Sequence, residues 1–425
     1  MLALSPFFVF MVVYLVGSLI AGDFYELPLT VAFLIASAYA LGITPKLKLR
    51  ERINIFSRGA GDENIMLMIW IFVLAGAFAT TASKMGAIDA TVNLTLRFLP
   101  AGMLLPGLFL AACFISLSIG TSVGTVVALT PVAVGIAEQT GSSLPLIVAL
   151  VVGGAFFGDN LSFISDTTIV STQSQGCKQS DKFKYNFFLV LPIAIIVCVI
   201  YLLMGSGVNE VEAGRVMWWK IIPYLAVLIS AAYGVNVMLV LLMGNILTGI
   251  VGIADGTYTF GGWTESMTTG IMGMSELILI SMMAGGIFSL ITQQGVMDRI
   301  VQALSTRVAS KKGAEFSICA LVAMVNALTA NNTVAILSIG DIAKNISKCY
   351  DIDPRRSASL LDTTSCAVQG LLPYGAQLLM ASSLAGITAM SIIPYLYYPM
   401  LLGAIVLLTI LISGRGKAAT DSSHR

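Results

Sequence analysis

Long apolar runs separated by short polar loops recur along the whole chain. In the first half they lie near residues 2–21, 27–44, 65–83, 102–119, 122–138, 145–168 and 187–206, and in the second half near 218–232, 236–254, 274–292, 315–330, 331–347, 357–378 and 393–413. Many of these runs are long enough for an α-helix to cross a bilayer, whereas an outer-membrane barrel would show alternating strands of about 10 residues. The pattern predicts an all-α polytopic membrane protein. Because the runs at 102–138 and 315–347 are short and broken, we expect 12–14 membrane segments.

Two distant stretches of the chain resemble each other. The sequence LAGAFATTASKMGAID, which starts at Leu74, aligns with MAGGIFSLITQQGVMD, which starts 209 residues later at Met283. Internal duplication of this size is common in secondary transporters. We predict a first transmembrane repeat over residues 1–207, a second over 208–414 and a tail over 415–425. Seven crossings per repeat is an odd number, so the second repeat should have the inverted topology.

Basic residues are concentrated on one side of this predicted topology. They occupy the segments 45–58, 177–184, 298–312 and 342–356 and the tail from Arg415. The positive-inside rule makes that side cytoplasmic. We therefore expect a bacterial inner-membrane protein with both termini and the tail in the cytoplasm.

Two predicted crossings contain an unusual number of polar residues near their middle. The first has Thr121, Ser122 and Thr125 in the sequence GTSVGT, and the second has Asn326, Thr329, Asn331, Asn332 and Thr333 in the sequence NALTANNT. Broken helices of this kind expose carbonyl and hydroxyl oxygens that bind cations in many transporters. Close packing of helices through small residues is the alternative explanation.

The densest polar cluster is GDNLSFISDTT, over residues 158–168. It contains Asp159, Asn160, Ser162, Ser165, Asp166 and Thr167. A buried aspartate is costly in a membrane, so two of them within eight residues indicate a functional site. If the segment is helical, Asp159, Ser162 and Asp166 share one face. The alternative is a polar cytoplasmic loop, because Lys178 follows closely. The second half contributes Asp362 as a further candidate.

A carboxylate in such a site can hold either a proton or Na⁺, and this exclusive occupancy is what exchange requires. We therefore predict Asp159 and Asp166 as the Na⁺-binding and proton-binding pair. Neutral oxygens would come from the neighbouring polar residues and from the two broken crossings.

The segment GDNLSFISDTT resembles the Gly-Asp-x-x-Ser-x-x-Ser-Asp-Thr-Thr signature of the NhaC-type Na⁺/H⁺ antiporter family, and GTSVGT is similar to that family's glycine-threonine motif. Phe163 stands where many members have proline. The resemblance implies exchange of Na⁺ for H⁺ by an ion transporter with inverted repeats. It also leaves a sodium-coupled carrier of amino acids or carboxylates as the alternative, because relatives couple sodium to such solutes.

The amino-acid composition excludes or disfavours several other classes of protein. With 57% hydrophobic and 11% charged residues, the chain is too apolar for a soluble domain, and a net charge of +1 gives no indication of nucleic-acid binding. The six cysteines are scattered and the single histidine is His424, which disfavours a zinc enzyme. We expect no cofactor and no enzymatic activity, with Na⁺, H⁺ and the lipid bilayer as partners. A homodimer is left open, and a channel is the least favoured interpretation.

Overall fold

The structure is a computed structural model that describes residues 5–21, 28–44, 47–163, 165–205, 214, 216–233, 235–295 and 310–412. Over these residues it is helical, without strands. The predicted tail lies outside the described residues, as does Asp298, the last residue of the repeated stretch that starts at Met283.

The described part of the first half contains ten α-helices. They are α1 (Ser5–Ala21), α2 (Leu29–Ile43), α3 (Leu49–Ala60), α4 (Glu63–Met85), α5 (Ala87–Phe98), α6 (Leu104–Ile119), α7 (Ser122–Thr140), α8 (Leu144–Leu161), α9 (Asp166–Gln175) and α10 (Gln179–Gly205).

The described part of the second half adds ten more. They are α11 (Trp218–Ala232), α12 (Val237–Ala254), α13 (Phe260–Gly273), α14 (Ser275–Gln293), α15 (Lys311–Thr329), α16 (Asn332–Cys349), α17 (Pro354–Gln369), α18 (Ala376–Ala385), α19 (Ala389–Ile392) and α20 (Tyr397–Ile412).

Within the described ranges, eight helical stretches are long and apolar enough to cross a membrane, and a ninth is formed if the bent pair α18 and α19 counts as one span. Four shorter apolar helices, within α1, α2, α11 and α20, add to these. Large apolar side chains are exposed along peripheral helices, such as Phe188, Ile195 and Leu203 on α10. In contrast, α7 and α8 are mostly buried. The fold is therefore an all-helical membrane bundle around a central α7–α8 core.

Backbone landmarks of the first half recur in the second half. Residues with positive φ end or interrupt helices at Gly86, Gly120, Gly141 and Gly176, and they recur 209 or 210 residues later at Gly295, Ala330, Asp351 and Gly386. The residues after Gly120 and Ala330 also have similar extended conformations, with φ −147° for Thr121 and −143° for Asn331. The duplication seen in the sequence is therefore a duplication of backbone conformation.

Glycine contacts between helices show the same repetition. Helix α4 packs on α13 where Gly76 meets Gly270, and α14 packs on α3 where Gly285 meets Gly59. At each contact a Cβ added to the glycine would lie within 2.6 Å of the facing backbone oxygen, so a larger residue would separate the helices. Gly285 lies 209 residues after Gly76, and the two halves thus use equivalent glycines for equivalent contacts.

Two parts of the fold differ from the sequence-based expectation. The segments 45–58 and 84–101, expected as loops, largely form the helices α3 and α5, whose apolar residues are spaced for one face rather than for spanning. The apolar run 145–168 is interrupted after Leu161, and the run 357–378 is interrupted after Gln369. The boundary between the repeats at 207 and 208 stays a prediction.

Candidate functional site

A cavity of about 120 Å³ lies where four helices begin. Its lining includes Thr121 and Ser122 of α7, Ser165, Asp166 and Thr167 at the start of α9, Asn331, Asn332 and Thr333 at the start of α16, and Ala376 and Gln377 of α18. The first backbone N–H groups of a helix have no intrahelical acceptor and carry a partial positive charge. The cavity therefore favours negatively charged groups, and we call it the central cavity.

Asp159 supplies one such negative charge. It lies near the end of α8, lines the central cavity and is only 3% exposed. The backbone N–H of Ser122, the first residue of α7, donates a hydrogen bond to Asp159 Oδ1 at 3.0 Å. No ion pair of Asp159 with a basic side chain is present among the described residues. This carboxylate is stabilised by a helix N-terminus, and none of the described basic side chains neutralises its charge.

Asp166 also lines the central cavity, but the expectation that it shares a helical face with Asp159 and Ser162 is wrong. The chain leaves the helix after Leu161 and begins α9 at Asp166, so the two aspartates belong to two helices. The interruption forms without a proline, and Phe163 instead stacks on Phe183 with ring centroids 4.5 Å apart. Asp166 is exposed, in contrast to the buried Asp159.

The other polar residues of this segment mainly hold the interruption in place. Ser162 donates a hydrogen bond to the carbonyl of Leu117 at 3.0 Å, and the hydroxyl groups of Ser165 and Thr167 lie 2.9 Å apart. Asn160 Nδ2 donates to the hydroxyl of Tyr398 at 3.0 Å. Ser162, Ser165 and Thr167 are buried, as is Asn160. These contacts fix the orientation of the neighbouring carboxylates.

The interruption between α15 and α16 contributes Asn331, Asn332 and Thr333 to the cavity. Asn331 Oδ1 accepts a hydrogen bond from the backbone N–H of Val334 at 3.0 Å, which caps α16. Asn326 and Thr329 lie outside the cavity lining: Asn326 Nδ2 donates to the carbonyl of Ser365 at 2.7 Å, and Thr329 Oγ1 donates to the carbonyl of Asn331.

Thr125 is fully buried one turn into α7, and its hydroxyl donates to the carbonyl of Thr121. Like Asn326 and Thr329, it supports a break and is absent from the cavity lining. Nine of the fifteen residues predicted from the sequence therefore line the central cavity. They are Asp159 and the residues at three helix starts: Thr121, Ser122, Ser165, Asp166, Thr167, Asn331, Asn332 and Thr333.

Two glutamines of the second half, Gln369 and Gln377, also line the central cavity, although neither is among the residues predicted from the sequence. Gln377 Nε2 donates to Ser122 Oγ at 2.9 Å, and Gln369 Nε2 donates both to Gln377 Oε1 at 3.0 Å and to the carbonyl of Ala330 at 2.8 Å. This chain of bonds joins the break at Thr121 to the break at Asn331.

The two donations from Gln369 Nε2 leave Gln369 Oε1 as a buried acceptor without a partner among the described residues. Flipping the amide would lose both bonds, so the orientation is fixed. Gln369 lies 209 residues after Asn160, and this correspondence was the signal in the sequence that could have identified it.

Asp362, a predicted site residue, is outside the central cavity lining. It is fully buried, and its Oδ2 forms an ion pair with Lys182 Nζ at 2.8 Å and accepts a hydrogen bond from Asn186 Nδ2 at 3.0 Å. Lys182 lies in the segment 177–184, which was predicted from the sequence to lie on the basic cytoplasmic side. Lys182, Asn186 and Val190 are spaced four residues apart, so they lie on one face of α10, and all three are buried.

Two larger cavities lie towards opposite ends of α4. The first, of about 400 Å³, is lined by Arg58, Asp62 and Asn64 and shares Met68 and Asn331 with the central cavity. The second, of about 550 Å³, is lined by residues that include Lys84, Asp89 and Glu138 and has no lining residue in common with the central cavity. The central cavity therefore adjoins the first cavity, which we call the Arg58 vestibule, and not the second, the Glu138 vestibule.

The lining of the vestibules also shows how the two halves are oriented. The C-terminal half of α4, from Gly76 to Lys84, lines the Glu138 vestibule, whereas the equivalent part of α14, from Gly285 to Gln293, lines the Arg58 vestibule. Met274, just before α14, lines the Glu138 vestibule. The helices α4 and α14 thus run in opposite directions, as the predicted inverted repeats require.

Among the described residues, no group of three or more His, Cys, Asp or Glu side chains is placed to hold a metal ion. The central cavity instead combines two carboxylates with neutral oxygens from amide, hydroxyl and carbonyl groups. Hard cations bind to oxygen ligands of both kinds.

A sequence model of the Na⁺/H⁺ antiporter family matches residues 2–206 and 210–415. The chain belongs to the Na⁺/H⁺ antiporter family. It is therefore a multi-pass membrane antiporter and not an enzyme. The chain is similar to the Na⁺/H⁺ antiporter NhaC of Bacillus subtilis, with 24% identity over 88% of this chain and 89% of the relative.

Other relatives of this antiporter carry different names. The Malate-2H⁺/Na⁺-lactate antiporter of Bacillus subtilis is 21% identical over 88% of this chain and 87% of its own length. The arginine/ornithine antiporter ArcD of Halobacterium salinarum is 22% identical over 80% of this chain and 78% of its own length. Family membership thus establishes an antiporter, and the relatives are named for different exchanged pairs.

Proposed function

We propose that this antiporter exchanges Na⁺ for H⁺ across the bacterial inner membrane, with the central cavity as the transport site. The observation that carries the proposal is Asp159, a buried carboxylate that lines the cavity and has no ion pair with a described basic side chain. Such a group needs a cation or a proton to offset its charge, and only one of them can occupy the carboxylate at a time.

Neutral oxygens complete the site in this proposal. Gln369 Oε1 is the best candidate from the second half, because it is a buried acceptor without a partner among the described residues. Asp166, at the exposed start of α9, would attract the arriving cation and share it with Asp159. Asn332 and Thr333 would supply further oxygens from the facing helix.

The Arg58 vestibule would be the cytoplasmic entrance, because it lies beside the basic segment 45–58. Access from the other side would require opening towards the Glu138 vestibule, whose acidic residues Asp89 and Glu138 suit a surface that receives cations. In this proposal the structure is inward-facing, and both termini are cytoplasmic.

A purified and reconstituted protein tests the exchange directly. In proteoliposomes with an imposed pH gradient and no organic solute, added NaCl should collapse the gradient, whereas choline chloride should not. The same liposomes without protein provide the control. An unchanged gradient after NaCl would contradict the proposal.

The second candidate is sodium-linked or proton-linked exchange of an organic carboxylate or amino acid. It is favoured by the four helix N-termini at the central cavity, which suit a carboxylate group, and by the names of the malate/lactate and arginine/ornithine relatives. Malate, lactate, arginine and ornithine should each be tested in the same liposomes. A gradient that responds only when one of them is present would select this candidate.

A further inference from the structure

Lys182 is a lysine whose charged end is almost completely enclosed by protein, with 1% of its side chain exposed. Its Nζ lies 2.8 Å from Asp362 Oδ2, 2.6 Å from Thr168 Oγ1 and 3.2 Å from the carbonyl oxygen of Asn160. An ammonium group has three N–H donors, and here each has one oxygen acceptor. The three oxygens come from three helices, α17, α9 and α8.

These oxygens surround the interruption between α8 and α9. The carbonyl of Asn160 is one of the last carbonyls of α8, which have no intrahelical partner, and Thr168 lies in the first turn of α9. The Thr168 hydroxyl also donates to the carbonyl of Asp159 at 3.5 Å. The ammonium therefore lies at the interruption between α8 and α9, where the broken helix presents the carbonyl of Asn160 to a cation.

A carboxylate, a hydroxyl and a backbone carbonyl at a helix break also form the type of oxygen set that binds Na⁺ in transporters. The side-chain amide of Asn186 donates hydrogen bonds to both Asp362 Oδ2 and the carbonyl of Asn160, each at 3.0 Å. It thereby holds these two oxygens close together. The pocket of Lys182 thus has the composition of a monovalent cation site that is already filled.

The buried charges in the described part of the protein indicate how many cations the site can hold. The buried charged side chains of this part are Asp159, Lys182, Lys220, Glu315, Arg356 and Asp362. Lys220 pairs with Asp255, Arg356 with Glu315, and Lys182 with Asp362, which leaves Asp159 as the unbalanced charge. One buried negative charge has room for one added cation, and loss of the Lys182 ammonium would create room for a second.

We propose that the side chain of Lys182 is a built-in occupant of a second monovalent cation site, formed by Asp362, Thr168 and the carbonyl of Asn160. The lysine thereby limits the antiporter to one exchangeable cation, held at Asp159. The proposal rests on the proposed function, because it takes the central cavity as the transport site.

The test is the number of ²²Na⁺ ions bound per purified chain at saturation. Wild type should bind one, Lys182→Ala should bind two, and the double variant Lys182→Ala/Asp362→Asn should bind one again. Lys184→Ala is the matched control, because Lys184 is an exposed lysine on the same helix, and it should bind one. A Lys182→Ala protein that binds one Na⁺ would overturn the inference, whereas a wild type that binds none would contradict the proposed function itself.

Thermal unfolding covers the case in which Lys182→Ala is poorly folded. In choline chloride the variant should melt below wild type, and NaCl or methylammonium chloride should restore its melting temperature much more than they raise that of Lys184→Ala. Methylammonium carries the same charged group as lysine and should fill the vacated site. A variant that neither cation stabilises beyond the control would also overturn the inference.

Discussion

Replacement of Asp159 by Asn is the most direct test of the central cavity. The two side chains have nearly the same volume, and the Asn oxygen can still accept the hydrogen bond of the Ser122 N–H, which is 3.0 Å from Asp159 Oδ1. Only the charge is removed. The variant therefore separates the electrostatic role of Asp159 from its role in holding α8 against the start of α7.

The two expected effects on stability oppose each other, and the larger one favours the variant. A hydrogen bond to a charged group contributes about 1.5–3 kcal/mol and a neutral one about 1 kcal/mol, so the bond to Ser122 loses about 1 kcal/mol. Against this loss, an aspartate in the middle of a membrane helix costs about 2.5–3.5 kcal/mol on insertion scales, and the variant avoids that cost. We therefore expect Asp159→Asn to insert and to melt no lower than wild type.

The expected effect on Na⁺ binding is large. Two unit charges about 4 Å apart attract each other by about 4 kcal/mol at an effective dielectric constant near 20. Since each 1.4 kcal/mol is tenfold, loss of the Asp159 charge should weaken Na⁺ binding by about 1000-fold. Asp166 is exposed, so the same distance in water corresponds to about 1 kcal/mol, and Asp166→Asn should weaken binding by only about fivefold.

The assay is the Na⁺ concentration that gives half-maximal collapse of a pH gradient in proteoliposomes, with melting temperatures measured on the same preparations. Asp341→Asn is the matched control, because Asp341 is an exposed aspartate on α16 that does not line the central cavity. A folded Asp159→Asn protein with the Na⁺ dependence of wild type would refute the reasoning. The transport site would then have to lie elsewhere, with the buried Asp362 as the next candidate.

Three further predictions concern the backbone, a helix cap and the topology. Ala330 has a φ of 51°, which costs a non-glycine residue about 1–2 kcal/mol, so Ala330→Gly should raise the melting temperature in detergent. Gly120 is the equivalent residue of the first half, with a φ of 73°, and Gly120→Ala should lower the melting temperature. Shifts of the same sign in the two variants would contradict this prediction. Asp353 caps α17, and the Arg355 side chain that donates to it holds the pKa of the Asp353 carboxyl below its usual range. Because that pKa is lowered in the folded state, the stabilisation is present above the usual value near 4 and is lost as the pH falls through the lowered value. Asp353→Ala should therefore cost about 1 kcal/mol at neutral pH, and its difference from wild type in thermal melts should shrink in acid; a difference that grows in acid would contradict this. Cysteines that replace Arg58 and Glu138 should react with an impermeant maleimide from opposite sides of the membrane, with the unsubstituted chain as the background control, and labelling from the same side would exclude the proposed vestibules.

The sequence by itself determined the class of protein and the repeated plan. Apolar runs long enough to cross a bilayer can be recognised locally, because lipid demands internally bonded helices. The stretches from Leu74 and Met283 led to the duplication, and the two polar breaks at Thr121 and Asn331 lie where the helices begin. Glycine, hydroxyl and amide residues mark such breaks because a helix in lipid rarely includes them without a structural or functional reason.

The tertiary structure decided which of these residues face the central cavity. Periodicity placed Asp159 and Asp166 on one face, but packing interrupts the helix between them, buries Asp159 and leaves Asp166 exposed. The partners that matter most lie far apart in the chain: Gln377 bonds to Ser122 across 255 residues, and Asn186 bonds to Asp362 across 176. Local pattern cannot reveal such pairs, because they depend on how the helices of the two halves pack against each other. Lys182 is an example. From the sequence, a lysine in a basic segment indicates the cytoplasmic side of the membrane, whereas the structure shows it buried in an ion pair with Asp362.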